Sequence, residues 1–339
     1  MKKSLFWQLC VVALFCFKFS ASTASQALNI SENLSTSDLT AMQVENLLDK
    51  TFAIMASDYI DVSAVPMIEK TIRQRYSLGQ YANINSIQNF AKVIGSDIQR
   101  VSGDVHLSIQ VQDPNRKPSH VLQHTPGRLT YNYAFETVSY LHGNIGYLKF
   151  NKFDSASNAK IAVDDAFGFL RNSAALILDM RDTVGGSPEL AQYILSYFIE
   201  PNIPLWRVEA RDSELQSHVA SLNTAKHRHF LDNFPVWVLT SNNTASASEI
   251  FIGVLQAQQK ATVVGDITAG AGFYVGVLSI TDELTFRISL AKPVIAVSNI
   301  NWEKTGLQPD IRVISMDALD TALQDIHQFR RSNQTEAHN

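Results

Sequence analysis

Cysteine is nearly absent from this chain of 339 residues, and the two present, Cys10 and Cys16, both precede Phe17. Beyond them no disulfide, thiolate nucleophile or cysteine metal site is available. Basic runs are missing too. Lysine and arginine number 28 against 32 acidic residues, a formal charge of −4, and without Lys2, Lys3 and Lys18 it falls by three to −7. With no basic run and no low-complexity tract, nucleic acid is excluded as a partner. The longest apolar run, residues 5–17 broken by Gln8, is shorter than the roughly 20 residues a membrane span needs. No Gly-x-Ser-x-Gly elbow occurs around Ser246, which disfavours the α/β-hydrolase fold.

What is present begins with a leader. Met1-Lys2-Lys3, the apolar run and the small residues from Ser20 to Ala27 form a secretory signal peptide over residues 1–27, with cleavage after Ala24 or Ala27. The mature chain is therefore expected to be exported, periplasmic or extracellular, with no stable membrane anchor. About 310 residues remain, enough for a buried core and an accessory domain.

Residues 28–125 are expected to form a helical N-terminal domain, because Val44, Leu47, Leu48 and Phe52, then Ile68 and Ile72, then Phe90, Ile94 and Ile98 recur at threes and fours. This domain ends in the His106 segment and a Pro-rich linker. Residues 126–339 alternate short apolar strands, at 145–150, 174–179, 236–240 and 261–265, with helical patterns, which predicts an α/β core closed by a C-terminal helix. Region 201–233 carries His218, His227 and His229 and is expected to be solvated helix or loop. No carboxylate or cysteine stands beside these histidines at ligand spacing, so no metal site and no cofactor are predicted.

Ser246 lies where the strand at 236–240 turns into a helix. Alanines flank it, and the free N–H groups of a first helical turn favour negative charge nearby. A second reading is open at this point: Thr244 or Ser246 caps the helix and Glu249 completes a capping box. Gly185-Gly186, between a buried strand and a helix, are placed to aim backbone N–H groups into a cleft.

Taken together, Thr244-Ala245-Ser246-Ala247-Ser248-Glu249, Leu178-Asp179-Met180-Arg181-Asp182 with Gly185-Gly186-Ser187-Pro188, Ser102-Gly103-Asp104-Val105-His106-Leu107 and Asn301-Trp302-Glu303 resemble the C-terminal processing (tail-specific) peptidase family. The branch is that of interphotoreceptor retinoid-binding protein and the tricorn core. The resemblance implies a crotonase-like or Clp-like spiral of β-β-α units behind a helical N-terminal domain. No PDZ module is expected, since only 38 residues separate His106 from Ile145.

The resemblance also implies a serine peptidase acting on peptides or unfolded proteins. Its nucleophile would be Ser246, with His106 and Glu303 completing the catalytic set and the backbone of Gly185, Gly186 and Ala247 forming the oxyanion hole. Tail-specific members carry a basic lysine 25 residues after the nucleophile, where this chain has Ala271. Lys260 and Lys292 are the nearest lysines in sequence. Val105 replaces a serine of the tricorn-like histidine network, and Thr183-Val184 replace the usual Asn-Gly ahead of Gly185. The alternative is a non-catalytic relative that binds an apolar small molecule or peptide in the same cleft.

Overall fold

A computed structural model describes residues 39–112, 131–223, 228–231 and 233–336. The expected leader over residues 1–27, the expected Pro-rich linker with His120 and His124, and His227 lie outside the described residues. In chain order the helices are α1 (Ala41–Asp58), α2 (Val65–Ser77), α3 (Ile87–Ser102), α4 (Ala159–Leu170), α5 (Pro188–Leu195), α6 (Ala247–Ala257) and α7 (Ala318–Glu336). The strands are β1 (Ser108–Val111), β2 (Phe135–Leu141), β3 (Ile145–Phe150), β4 (Ala175–Asp179), β5 (Pro204–Ala210), β6 (Ser217–Ala220), β7 (Val236–Thr240), β8 (Thr262–Gly265), β9 (Tyr274–Ser279), β10 (Leu284–Ile295) and β11 (Ile311–Arg312). No helix among the described residues is long and apolar enough to cross a membrane.

The larger sheet runs β11-β8-β7-β4-β3-β2, parallel except where β2 and β3 form an antiparallel pair. Successive residues of β4 face opposite layers. Leu176 and Leu178 pack with Val163, Ala191 and Phe251 of α4, α5 and α6, whereas Ala175 and Ile177 pack with Ala318, Ala322 and Ile326 of α7. A strand covered on both faces needs an apolar side chain at every position, which is why this stretch reads as a continuous apolar run. The same reasoning applies to β7, whose residues are all buried.

The smaller sheet runs β1-β10-β5-β6, with β9 also paired to β10. Leu48, Phe52, Ile68, Ile72, Phe90 and Ile94 of α1, α2 and α3 share a core with Phe286, Ile288 and Leu290 of β10. Thr40 starts α1 with a reciprocal capping pair to Gln43. Gly103 ends α3 in the left-handed region at φ 71°, the usual way to leave a helix, and turns the chain into Asp104, Val105 and His106.

No PDZ module occurs among the described residues, and the mixed α/β class agrees with expectation. Region 201–233 does not: it contributes β5 and β6 rather than a solvated helix or loop. Trp206 and Val208 of β5 are buried, and their pairing partners on β10 were not visible from local composition.

Candidate active site

Ser246 stands at the start of α6 with φ 57° and ψ −122°, a conformation that residues other than glycine rarely hold. The turn leading to it is fastened to the exit of β4. Ser241 Oγ donates to Arg181 O (2.5 Å), Thr244 Oγ1 to Met180 O (2.9 Å), and Ala245 N–H to Thr183 O (3.2 Å). Ser248 Oγ donates to the same Thr183 carbonyl (3.0 Å), so Ser248 is engaged in the core while Ser246 is half-buried at the turn.

Glu249 holds the turn from within the helix. Its fully buried carboxylate accepts from the N–H groups of Ser246 (2.8 Å), Gly270 (2.8 Å) and Ala271 (2.9 Å) and from Thr268 Oγ1 (2.5 Å). Burial pushes the carboxyl up, and the four donors pull the other way without fully offsetting it. Glu249 therefore does cap the helix, and the same carboxylate ties the Ser246 turn to the loop at 268–272.

Gly185 lies against Ser246 and Gly186 against Phe153, with φ of 96° and 129°. A Cβ on Gly185 would come within 2.7 Å of both Ser246 Cβ and Ala245 O and 3.1 Å of Ala247 N, and one on Gly186 within 2.1 Å of Phe153 O. Neither position tolerates a side chain. Thr183 and Val184, by contrast, do not have positive φ, so the β-branched residues ahead of the glycines meet no left-handed requirement. Phe153 N–H donates to Gly185 O (2.8 Å) and Ser187 N–H to Phe153 O (2.8 Å). The N–H groups of Gly185, Gly186 and Ala247 have no hydrogen-bond partner among the described residues.

The second half of the site centres on His106. Its Nδ1 lies 3.2 Å from Asp104 Oδ1, which also accepts from the His106 backbone N–H (2.8 Å). Asp104 Oδ2 accepts from Tyr59 OH (3.1 Å) and Ser289 Oγ (2.7 Å). Burial acts to raise the Asp104 carboxyl, but the hydrogen bonds and charge of His106 together with the Ser289 hydroxyl outweigh it and hold the group below the usual carboxylate range. Val105, at the position of the tricorn-like serine, points outward and is 57% exposed.

Glu303 reaches this group from the turn after β10. Asn301 Oδ1 accepts from its backbone N–H (3.0 Å), and Glu303 Oε2 accepts from Gly272 N–H (2.7 Å). Its other oxygen is buried with no hydrogen-bond partner among the described residues. Burial first, and then the negative charge of Asp104, push the Glu303 carboxyl up to about 8.

One side-chain atom each of Asp104, His106 and Glu303 lies within 4.8 Å of the others, a composition that could also offer three ligands to a divalent cation. Both Asp104 oxygens already accept from protein donors, so Asp104 and His106 form a hydrogen-bonded pair with Glu303 beside it.

The structure thus sets Gly185 and Ala247 against Ser246, holds Gly186 against Phe153 in the same loop, and brings Glu303 to His106. The two groups meet through one loop, in which Gly270 and Ala271 bind Glu249 and the next residue, Gly272, binds Glu303. No hydrogen bond joins Ser246 to His106 among the described residues. The lysine position of tail-specific enzymes is Ala271, in that same loop. Lys260 donates instead to Leu231 O (3.1 Å) and Lys292 pairs with Glu209 (3.1 Å), so both are engaged elsewhere.

Comparison with known proteins fits this geometry. The pattern of peptidase family S41 matches residues 144–313, and that of the N-terminal domain of peptidase S41 in eukaryotic IRBP matches residues 24–140. The chain belongs to peptidase family S41. Among family relatives, the carboxy-terminal processing protease CtpB of Bacillus subtilis is 23% identical over 290 residues, covering 82% of this chain and 58% of that protein. A putative peptidase from Parabacteroides merdae shares the fold at a TM-score of 0.59 and 19% identity, over 80% of this chain and 90% of that one. The tricorn protease does so at 0.52 and 12%, over 85% of this chain and 37% of its own. The S41 chain described here spans about half the length, or less, of the curated relatives it matches.

Asp104, Tyr59, Ser289, Thr268 and Gly272 were not among the site residues expected from sequence. Only Asp104 left a signal, its place two residues before His106, and that spacing equally suits a turn cap.

Proposed function

We propose that the chain is an exported serine peptidase that hydrolyses peptide bonds in peptides or unfolded proteins. Ser246 Oγ attacks the carbonyl carbon while His106 takes the hydroxyl proton. The carbonyl oxygen, now negative, lies among the N–H groups of Gly185, Gly186 and Ala247. His106 returns the proton to the leaving amine, and a water molecule then hydrolyses the acyl-enzyme by the same route. Glu303 closes the site beside the imidazole. Imidazole suits this task because its ordinary pKa lies near working pH.

The observation that carries the reading is the loop at 268–272, which joins the Ser246 turn to Glu303 and through it to His106. Gly272, the donor to Glu303, directly follows Ala271, the position at which lysine-using relatives have their base. The name carried by the Bacillus subtilis relative supports the substrate class.

The mature chain, starting near Ser25 or Leu28, is expected to cleave an unfolded protein substrate equally well with and without EDTA. Ser246→Ala should be inactive with a nearly unchanged thermal midpoint. Turnover by Ser246→Ala, or its abolition by EDTA, would sink the mechanism, and an inert wild type would point to the ligand-binding alternative. Recovery of Met1 on sequencing the exported protein would contradict cleavage of the leader.

A further inference from the structure

We infer that Asp104 is a positioning residue that holds the proton on Nδ1 of His106, leaves Nε2 as the basic nitrogen, and balances the charge His106 acquires during turnover. The inference rests on His106 being the base, as proposed above, and adds a residue to which that reading gives no role.

The carboxylate is built to stay ionised and fixed. Asp104 is fully buried, and an ionised carboxylate in such a place is costly unless donors surround it. It has them on both oxygens: the His106 backbone N–H and ring on Oδ1, and the hydroxyls of Tyr59 and Ser289 on Oδ2. Tyr59 comes from the end of α1 and Ser289 from β10, so the carboxylate is clamped from two separate elements. An ionised oxygen only accepts hydrogen bonds. With Asp104 Oδ1 at 3.2 Å, Nδ1 must carry the hydrogen, because two lone pairs facing each other would repel.

Asp104 is not needed merely to hold the backbone here. Gln99 Nε2 donates to Val105 O (2.8 Å) and Leu107 O (3.3 Å), and Arg287 Nη1 donates to His106 O (2.6 Å). Three hydrogen bonds that do not involve the Asp104 carboxylate therefore fix the segment around His106, which leaves the ring contact as the distinct contribution of that carboxylate.

Glu303 is poorly suited to the same part. One of its oxygens accepts from Gly272 N–H and the other is buried and unpartnered among the described residues. With its carboxyl pushed up to about 8, it carries a proton at neutral pH and supplies little negative charge to an imidazolium. Two carboxyl groups beside one histidine are thereby divided, Asp104 ionised and Glu303 protonated, and each favours the state of the other.

Two measurements test this. In uniformly 15N-labelled wild type above the histidine titration, the His106 ring nitrogens are expected to show the proton on Nδ1, and a proton on Nε2 would overturn the inference whether or not the protein is a peptidase. Asp104→Asn keeps an acceptor for the His106 backbone N–H but removes the charge. It should lower kcat by on the order of 10²-fold or more with KM little changed. A purely structural role would instead lower activity only with the folded fraction. Folded Asp104→Asn with wild-type kcat overturns the inference. If the variant does not fold, the wild-type nitrogen spectrum still decides, and inactivity of both Ser246→Ala and wild type would count against the peptidase reading alone.

Discussion

Glu303 is the residue whose ionisation should be most visible in the stability of the fold. Its carboxyl is raised to about 8 in the native state by burial and by Asp104, from an ordinary value of 4.5. The native state therefore holds a proton that the unfolded chain releases, so this contribution is fully present below about 4.5 and is lost as pH rises through about 8. Its size is on the order of a few kcal/mol, given the partial exposure of the group. Glu303→Gln keeps an acceptor for Gly272 N–H and removes the titration. Urea midpoints measured from pH 5 to 9 should fall more steeply for wild type than for Glu303→Gln, and parallel curves would refute the assignment. At this scale the sequence motifs made Ser246, His106 and Glu303 legible as candidates. The Asp104 environment was not, because Tyr59 and Ser289 stand 45 and 185 residues away in the chain.

The start of α6 shows how an element can display one serine and bury its neighbour. Ser248 donates to Thr183 O within the core, so Ser248→Ala should cost about 1 kcal/mol and leave hydrolysis intact. Glu249→Gln is expected to do more. An amide has one accepting oxygen and two N–H donors, and here it would face three backbone N–H groups and a hydroxyl. Roughly 3 kcal/mol or more should be lost, along with turnover, because the Ser246 turn and the 268–272 loop lose their common acceptor. Calorimetry together with an activity assay separates the two variants, and an active Glu249→Gln protein of wild-type stability would show that the tie is dispensable. The strand-to-helix change around Ser246 was legible because β7 is buried on both faces. β10 continues through Pro293 for a different reason: Pro293 lies past the last β9 pairing, where only β5 remains beside it, so a missing N–H is tolerated.

Across the molecule, two sheets supply the two halves of the candidate site. The parallel sheet delivers the glycine loop after β4 and Ser246 after β7, the exits where α/β sheets commonly place their ligands. The smaller sheet and the helices packed on it deliver His106 before β1, with Glu303 following β10. This division explains why α/β texture was readable from the chain while the joining of the halves was not. It depends on a carboxylate in α6 reaching the 268–272 loop, and on a glycine in that loop reaching Glu303. We propose that this assembly makes Ser246 a nucleophile activated by His106. The most direct measurement of this is the rate and position of labelling by a fluorophosphonate in wild type and His106→Ala, with the adduct mapped by mass spectrometry. A single adduct on Ser246 is expected in wild type, with labelling slower by on the order of 10²-fold or more in His106→Ala. An adduct on Ser248, or a His106→Ala protein that labels at the wild-type rate, would contradict the proposal.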